Sequence, residues 1–129
     1  MHQHCVFQLL NNWETSVLKL RTNVIIANEK IPQLMSECSQ LLASETGKPE
    51  RYVMVDIEGG RDMLFGGSAE PLAYVECKSI GLSSEQATSL SQSISQLLSN
   101  SIDVSADRIY IEFSNCPAEL WGWNGSTFG

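Results

Sequence analysis

Few residues in this chain of 129 combine a reactive side chain with neighbours that could activate it. Ser16 begins the stretch SVLKLRTNV, but a serine nucleophile needs a base beside it, and the two histidines, His2 and His4, both lie near the amino terminus. Lys48 follows a glycine in TGKPE, where a helix is expected to end. Its ammonium could interact favourably with the negative carboxyl end of the helix dipole, or it could contact a substrate. The sequence leaves both roles open.

The sequence offers little for metal or thiol chemistry. It has no CxxC or Cys/His spacing typical of zinc, and two histidines supply too few ligands, so we expect neither a metal site nor a cofactor. The four cysteines are widely spaced, at Cys5, Cys38, Cys77 and Cys116. Cys38 falls on the apolar face of a predicted helix and Cys77 in a predicted strand, so both are expected to be small buried residues.

Two segments are rich in glycine and apolar or aromatic residues. MLFGGSAEP, at 63–71, predicts a loop whose glycines adopt positive φ angles. WGWNGSTFG, at 121–129, places Trp121, Trp123 and Phe128 within nine residues. These aromatic rings are expected to pack, either in ordinary or subunit contacts or as one wall of a pocket.

Charge and composition exclude two classes of partner. Fifteen acidic and eight basic residues give a net charge of −7, and the basic residues are scattered, which argues against nucleic-acid binding. The hydrophobic fraction of 43% is typical of a globular protein, and no apolar run approaches membrane-spanning length. The start of the chain lacks the basic flank and cleavage pattern of a signal peptide. We therefore expect a cytoplasmic protein, or one secreted without a signal peptide.

A first β–α–β unit is predicted in the amino-terminal half. Alternation of leucine with charged residues predicts a strand at 17–24. Apolar residues at helical spacing predict a helix at about 31–46, with Pro32 in its first turn and Gly47 as its terminator. The run RYVMVDIE, at 51–58, predicts the returning strand.

A second unit follows the same order. LAYVECKSI predicts a strand at 72–80, and Ser83 with Gln86 forms a capping-box pattern before a helix that ends near Asn100. RIYIEF, at 108–113, predicts the last strand.

The two units echo each other, because ERYVMVD and DRIYIEF both place an acid and an arginine before a strand. Right-handed crossovers would then give an α/β (α+β) fold, a four-stranded sheet with both helices on one face. The other face is expected to carry uncovered Val, Tyr and Ile side chains, which would call for partner subunits. Residues 1–16 lack a clear period and are expected to be a poorly ordered extension of the domain at 17–129.

Several segments together resemble the macrophage migration inhibitory factor branch of the tautomerase superfamily. They are TNV at 22–24, TGKPERYVMV at 46–55, FGGS with EP at 65–71, SIG at 79–81, DRIYIEF at 107–113 and GWNGSTF at 122–128. The resemblance implies a homotrimer whose three sheets close into a barrel. It also implies a pocket at each subunit junction for keto–enol tautomerisation of small aromatic α-keto acids such as phenylpyruvate, and of dopachrome. For animal members it implies a cytokine role and a receptor protein.

The resemblance also assigns roles to individual residues. The family's general base is an amino-terminal proline, and counting back from TNV places this position at Ser16. The implied substrate-binding residues are Lys48, Ile80, Tyr110, Glu112, Trp121, Trp123 and Phe128. Animal members usually carry Asn at position 112, and the Glu112 carboxylate would repel an anionic substrate unless Lys48 neutralises it. The family's CxxC is replaced by LAYV at 72–75, so thiol–redox activity is not implied.

The missing proline makes catalysis by this chain uncertain. A free proline amine is unprotonated near neutral pH in an apolar pocket and can remove a proton next to a carbonyl. Residues 1–31 contain no proline, and the nitrogen of Ser16 is an amide without usable basicity. Three hypotheses follow. In the first, residues 1–16 come from a mistaken or alternative first exon, and the natural protein is a tautomerase-type enzyme with the amino-terminal proline. In the second, the chain is a non-catalytic trimeric binding or cytokine-like protein. Alternatively, cleavage before Ser16 or Val17 exposes a primary amine with a pKa of about 8, although no processing signal is visible.

Overall fold

Two β–α–β units and a terminal hairpin make up residues 15–129, the part of the chain that the computed structural model describes. The elements are β1 (Ser16–Thr22), α1 (Ile31–Thr46), β2 (Val53–Glu58), β3 (Ala73–Ile80), α2 (Ser84–Ile102), β4 (Ile109–Cys116), β5 (Gly122–Trp123) and β6 (Ser126–Thr127). The predicted extension falls mainly outside the described residues. The two positions of it that are described, Thr15 and Ser16, are both buried.

The main sheet has the strand order β2–β1–β3–β4. Strands β1 and β2 are parallel, β3 and β4 are parallel, and the two pairs meet where β1 runs antiparallel to β3. Each parallel pair is joined by one helix, as a crossover connection requires. The predicted duplication and the four-stranded sheet are therefore confirmed.

Local signals set the bounds of α1. The predicted and observed helices both run from Ile31 to Thr46, with Pro32 in the first turn, where its missing N–H leaves no bond unmade. Gly47 ends the helix with a left-handed φ of 70°, which costs glycine little.

A capping box begins α2. The Ser83 side chain accepts a hydrogen bond from the backbone N–H of Gln86 at 3.1 Å, and the Gln86 side chain accepts one from the backbone N–H of Ser83 at 3.0 Å. The helix continues to Ile102, two residues beyond the predicted end, and Asp103 closes it in the left-handed conformation.

Loss of this cap should lower stability measurably. Ser83→Ala removes the acceptor for the Gln86 N–H, so we expect the free energy of unfolding to fall by about 1 kcal/mol. Ser84→Ala is the matched control, since the Ser84 side chain makes no hydrogen bond in the cap. Urea unfolding of both variants checks the difference, and equal losses would contradict a specific capping role.

The core lies between one face of the sheet and the two helices. Leu18, Leu20, Val75 and Cys77 of the sheet pack against Leu34, Cys38 and Leu42 of α1 and Leu90, Ile94 and Leu98 of α2. Both helices therefore cover the same face, as predicted. The burial expected for Cys38 and Cys77 is also confirmed.

The opposite face of the sheet differs from its prediction. The expected Tyr side chains are there, but in place of most of the expected Val and Ile the strand register puts charged and hydroxyl-bearing residues: Lys19, Arg21, Asp56, Glu58, Tyr74, Glu76, Lys78, Tyr110, Glu112 and Ser114. Met54 and Val17 are its main apolar members. Apart from Val17 and Ile80, the valines and isoleucines of the strands point to the helices, because alternation sends neighbouring side chains to opposite faces. We call this surface the open face.

The described residues show no sign of a membrane segment or a metal centre. None of the helices within 15–129 is long and apolar enough to cross a membrane. No group of three or more His, Cys, Asp or Glu side chains that could hold a metal ion comes together in this range. His2, His4 and Cys5 lie outside it.

Candidate functional site

One end of the sheet brings together residues that are far apart in the sequence. β1 begins at Ser16, which aligns with Val53 at the start of β2 and with Ser79 near the end of β3. Asn115 of β4 aligns with Ser79 in turn. All four residues face the helices rather than the open face, so polar groups at this end lie beside the core.

The Lys48 side chain enters this end of the sheet and is only 6% exposed. Its Nζ donates hydrogen bonds to Ser79 Oγ at 2.5 Å, to the Ile80 carbonyl at 2.6 Å and to the Thr15 carbonyl at 3.0 Å. All three acceptors are neutral oxygens. Lys48 therefore binds the strand ends rather than the carboxyl end of α1, and it lies beside Ser16 and Ile80 as the resemblance implies.

Burial shifts the protonation equilibrium of this lysine. The pKa of Lys48 falls from 10.5 to about 8, because a charge inside the protein loses its hydration, while the nearby Cys77 acts in the opposite direction. A cation without a carboxylate partner at a buried position favours the approach of an anion.

The lowered pKa predicts a pH-dependent stability. Between about pH 8 and 10.5 the unfolded chain binds a proton at Lys48 that the folded chain does not, so the free energy of unfolding should rise with pH. From pH 7 to pH 9 the contribution of Lys48 is about 1 kcal/mol.

Urea unfolding of the unsubstituted chain and of Lys48→Met at both pH values isolates this contribution. Burial raises the pKa values of Cys38 and Cys77 to about 12 and about 11, which favours unfolding as the pH exceeds about 9. Lys48 lowers the pKa of Cys77, so its loss only raises that pKa further, and the folded thiols stay protonated up to pH 9 in both proteins. Their effect on stability between pH 7 and pH 9 therefore cancels in the comparison. An equal change in the two proteins would show that Lys48 keeps its ordinary pKa.

Ser16 is fully buried at the position implied for the proline base. Its Oγ lies 2.8 Å from Ser79 Oγ, and its nitrogen is joined to Thr15 in a peptide bond. The Thr15 carbonyl accepts hydrogen bonds from Lys48, from Ser79 Oγ at 3.3 Å and from the backbone N–H of Ile80 at 3.4 Å. In the chain as it stands, position 16 therefore has a peptide nitrogen and no amino-terminal amine.

Tyr110 and Glu112 lie elsewhere in the same chain. Both are on the open face, whereas Ser16 and Ser79 face the helices. The Glu112 carboxylate lies 3.3 Å from the hydroxyl of Tyr74, which also lies 3.2 Å from Glu76. Burial and the two carboxylates raise the pKa of Tyr74. Within one chain, Lys48 contacts other oxygens and does not neutralise Glu112.

The carboxy-terminal aromatic residues cross the end of the sheet where Ser16 lies. This segment leaves β4 at Cys116, the register partner of Ile80. It reaches Tyr52, which precedes β2 and makes an edge-to-face contact with Trp123 at 5.6 Å between ring centroids. Trp123 stacks on Phe128 at 6.0 Å, and the Phe128 N–H donates to the Trp121 carbonyl. The predicted packing is thus observed for the rings of Trp123 and Phe128.

Comparison with known proteins places the chain in a family. A sequence model described as macrophage migration inhibitory factor (MIF) matches residues 16–129. The chain belongs to the MIF family. It is 38% identical to the MIF of Meriones unguiculatus over 108 residues, which cover 82% of this chain and 94% of that protein. It is also 38% identical to a MIF homolog of Brugia malayi over 96 residues, which cover 74% and 84%.

Solved structures of MIF proteins share the fold. The crystal structure of a MIF homologue from Prochlorococcus marinus is 41% identical, with a TM-score of 0.83 over 88% of this chain and 99% of that one. The MIF of Trichinella spiralis is 31% identical, with a TM-score of 0.78 over 86% and 98%. The mixed α+β fold of the MIF family is therefore shown for this chain, and the match begins at Ser16, the first residue of β1.

Sequence reasoning missed three contributors in this MIF-family chain. Ser79 links Ser16 to Lys48, yet in the sequence it is only the small residue before Ile80. Tyr52 supports Trp123, and its place directly before a strand gave no sign of this role. Arg108 is the third. The sequence identifies the DR pair before the last strand only as part of a repeat.

Arg108 fixes the FGGS loop beside Tyr110. Its guanidinium donates at 2.8 to 3.3 Å to main-chain carbonyls of the loop, those of Phe65, Ser68, Glu70 and Pro71. The Phe65 ring in turn lies 4.4 Å from the Tyr110 ring, centroid to centroid. Gly66 and Gly67 have φ angles of 60° and 76°, which the tight turn requires and which confirms the predicted loop.

Proposed function

We propose that this chain forms a homotrimer with a tautomerase-type pocket at each subunit junction that binds small aromatic α-keto acids such as phenylpyruvate. The carrying observation is the buried ammonium of Lys48, whose three hydrogen-bond acceptors are all uncharged. A ligand carboxylate would supply the missing counter-charge. The aromatic segment across the same end of the sheet would hold the ring of the ligand.

The arrangement of Tyr110 and Glu112 supports a pocket shared between subunits. Both residues lie on the other face of the sheet from Ser16, and Tyr110 aligns with a residue five positions before Ser79. Five residues of strand span roughly 16 Å, so one chain cannot place Tyr110 against Lys48. A neighbouring subunit is the natural source of both side chains. In residues 15–129 the edge strands β2 and β4 each have one unpaired side that could receive it.

Keto–enol activity is expected only when position 16 carries a free amine. With Thr15 attached, the Ser16 nitrogen is an amide, and the Thr15 carbonyl occupies one hydrogen of Lys48. The full chain should therefore bind an aromatic keto acid weakly and enolise it at a negligible rate. A non-catalytic trimeric binding or cytokine-like signalling protein, acting on a receptor, is the second candidate, and the amide at Ser16 is the observation that favours it.

Calorimetric titration with phenylpyruvate tests the binding site. Lys48→Met should weaken binding about ten- to hundredfold, since a hydrogen bond to a charged group contributes about 1.5–3 kcal/mol. Lys78→Met is the matched control, because Lys78 is an exposed lysine on the open face. It should leave the affinity unchanged.

Two results would reject this proposal. One is equal binding by the Lys48→Met variant and the unsubstituted chain, which would remove the lysine from the site. The other is a solution mass of a single subunit, which would leave the proposed pocket without Tyr110 and Glu112.

A further inference from the structure

The peptide bond between Thr15 and Ser16 has unusual surroundings. Three donors converge on the Thr15 carbonyl oxygen: Lys48 Nζ at 3.0 Å, Ser79 Oγ at 3.3 Å and the Ile80 N–H at 3.4 Å. Donors aimed at one carbonyl oxygen stabilise the negative charge that develops there when the carbonyl carbon is attacked. They are longer than ideal in the ground state, as is common before reaction, and would tighten as the oxygen becomes charged.

A nucleophile is attached to the other side of the same bond. The Ser16 hydroxyl can close a five-membered ring onto the Thr15 carbonyl carbon, since the ring contains only that carbon and the N, Cα, Cβ and Oγ atoms of Ser16. Ser16 Oγ lies 2.8 Å from Ser79 Oγ, which lies 2.5 Å from Lys48 Nζ. This serine–serine–lysine chain provides a path for the hydroxyl proton, with no histidine required.

From this geometry we infer that the chain cleaves its own Thr15–Ser16 peptide bond by an N-to-O acyl shift followed by hydrolysis. The inference goes beyond the proposed function, because self-cleavage requires neither a keto acid nor the pocket between subunits. It supplies the processing step for which the sequence shows no signal.

The reaction balances with water as the one co-reactant. Ser16 Oγ bonds to the Thr15 carbonyl carbon as its proton passes through Ser79 to Lys48. The C–N bond then breaks, and the Ser16 nitrogen leaves as an amine after taking that proton back from Lys48. Water hydrolyses the resulting ester, which releases residues 1–15 with a free Thr15 carboxylate and restores the Ser16 hydroxyl.

Lys48 has the properties that this relay needs. Its pKa of about 8 leaves about a tenth of the molecules with a neutral amine at pH 7. A neutral amine has two hydrogens and one lone pair. It can donate to the carbonyls of Thr15 and Ile80 while its lone pair accepts the proton of Ser79. The single hydroxyl hydrogen of Ser79 then turns from the Thr15 carbonyl to Lys48, so Lys48 Nζ and the Ile80 N–H are the two donors that stay on that carbonyl during the reaction.

The burial of Thr15 also favours its release. Its own hydroxyl oxygen is buried without a hydrogen-bond partner, alone among the buried side-chain polar atoms of residues 15–129. A buried hydroxyl that makes no hydrogen bond carries a desolvation penalty, which destabilises the folded chain. Departure of residues 1–15 would relieve that penalty.

Cleavage would change the chemistry of position 16. The new amino terminus would be a primary amine beside the Lys48 ammonium, and a neighbouring positive charge lowers an amine pKa below its reference value of about 8. That amine could serve as the missing base. This consequence rests on the proposed function, whereas the cleavage itself does not.

Intact-protein mass spectrometry of the purified full chain tests the inference. On incubation at neutral pH, the mass of residues 1–129 should give way to the mass of residues 16–129. Ser16→Ala should stop the conversion, and Ser16→Cys should retain it through a thioester. Ser79→Ala and Lys48→Met should slow it about a hundredfold, the usual effect of a proton-transfer group.

Hydroxylamine distinguishes self-cleavage from a contaminating protease. It attacks an ester or thioester far faster than an amide, so it should accelerate release and leave Thr15 as a hydroxamate. A full-length mass that persists overturns the inference, and so does equal cleavage of Ser16→Ala. If the chain cleaves but the product does not bind phenylpyruvate, the proposed function fails and the self-cleavage stands. Circular dichroism of each variant confirms that it is folded.

Discussion

A chain that begins with proline at position 16 and continues from Val17 is expected to enolise phenylpyruvate at least about a hundredfold faster than the full chain. The substitution places a secondary amine where the full chain has the amide nitrogen of Ser16. Removal of Thr15 also frees one hydrogen of Lys48 for the substrate. A positioned general base typically contributes about 10²- to 10⁴-fold to a rate, which sets the expected size.

Three related proteins make the comparison decisive. A chain beginning at Ser16 itself should show intermediate activity, because its primary amine is a base that lacks only the proline ring. The proline chain with Lys48→Met should keep the base but lose affinity for the keto acid. Substantial turnover by an intact full chain that carries Ser16→Ala would point to a different base. Enol formation can be followed by absorbance, with mass spectrometry verifying each amino terminus.

Leu42→Ala is expected to lower the free energy of unfolding by about 2–5 kcal/mol. Leu42 has no exposed surface and packs in the core between α1 and the sheet, so its loss leaves a cavity that the neighbouring side chains can fill only in part. Urea unfolding at a fixed protein concentration gives the change, since self-association would otherwise alter the apparent stability.

Leu120→Ala is the control for this prediction. Leu120 is 79% exposed, so the same truncation should change the free energy of unfolding by less than about 0.5 kcal/mol. Similar losses in the two variants would mean that α1 does not pack on the sheet as described.

The helices were predictable because their signals are local. Pro32 marks the start of α1 and Gly47 marks its end, each beside the boundary it sets, and Ser83 with Gln86 marks the start of α2 in the same way. The residues of the open face were predicted only in part, because the signal that sets them is not local. Which side of each strand meets the helices depends on the register among four strands, and this is decided by packing between distant segments.

The same distinction explains what could be predicted of the site. The family resemblance placed Lys48, Ile80 and Ser16 in one site, and the structure brings them together. It gave no sign that Ser79 lies between them, because the Ser16–Ser79 contact joins residues 63 positions apart. The role of the Thr15 carbonyl could not be predicted either, because every residue of a sequence has the same main-chain carbonyl.

The charged open face has a consequence for any assembly of copies around it. Ammonium, guanidinium and carboxylate groups such as Lys19, Arg21 and Glu76 lose far more by dehydration than aliphatic groups do. Subunits that gather with these faces inward would therefore enclose a hydrated interior instead of a dry one. Their cohesion would have to come from strand edges and terminal segments, and the centre would remain permeable to water and small ions.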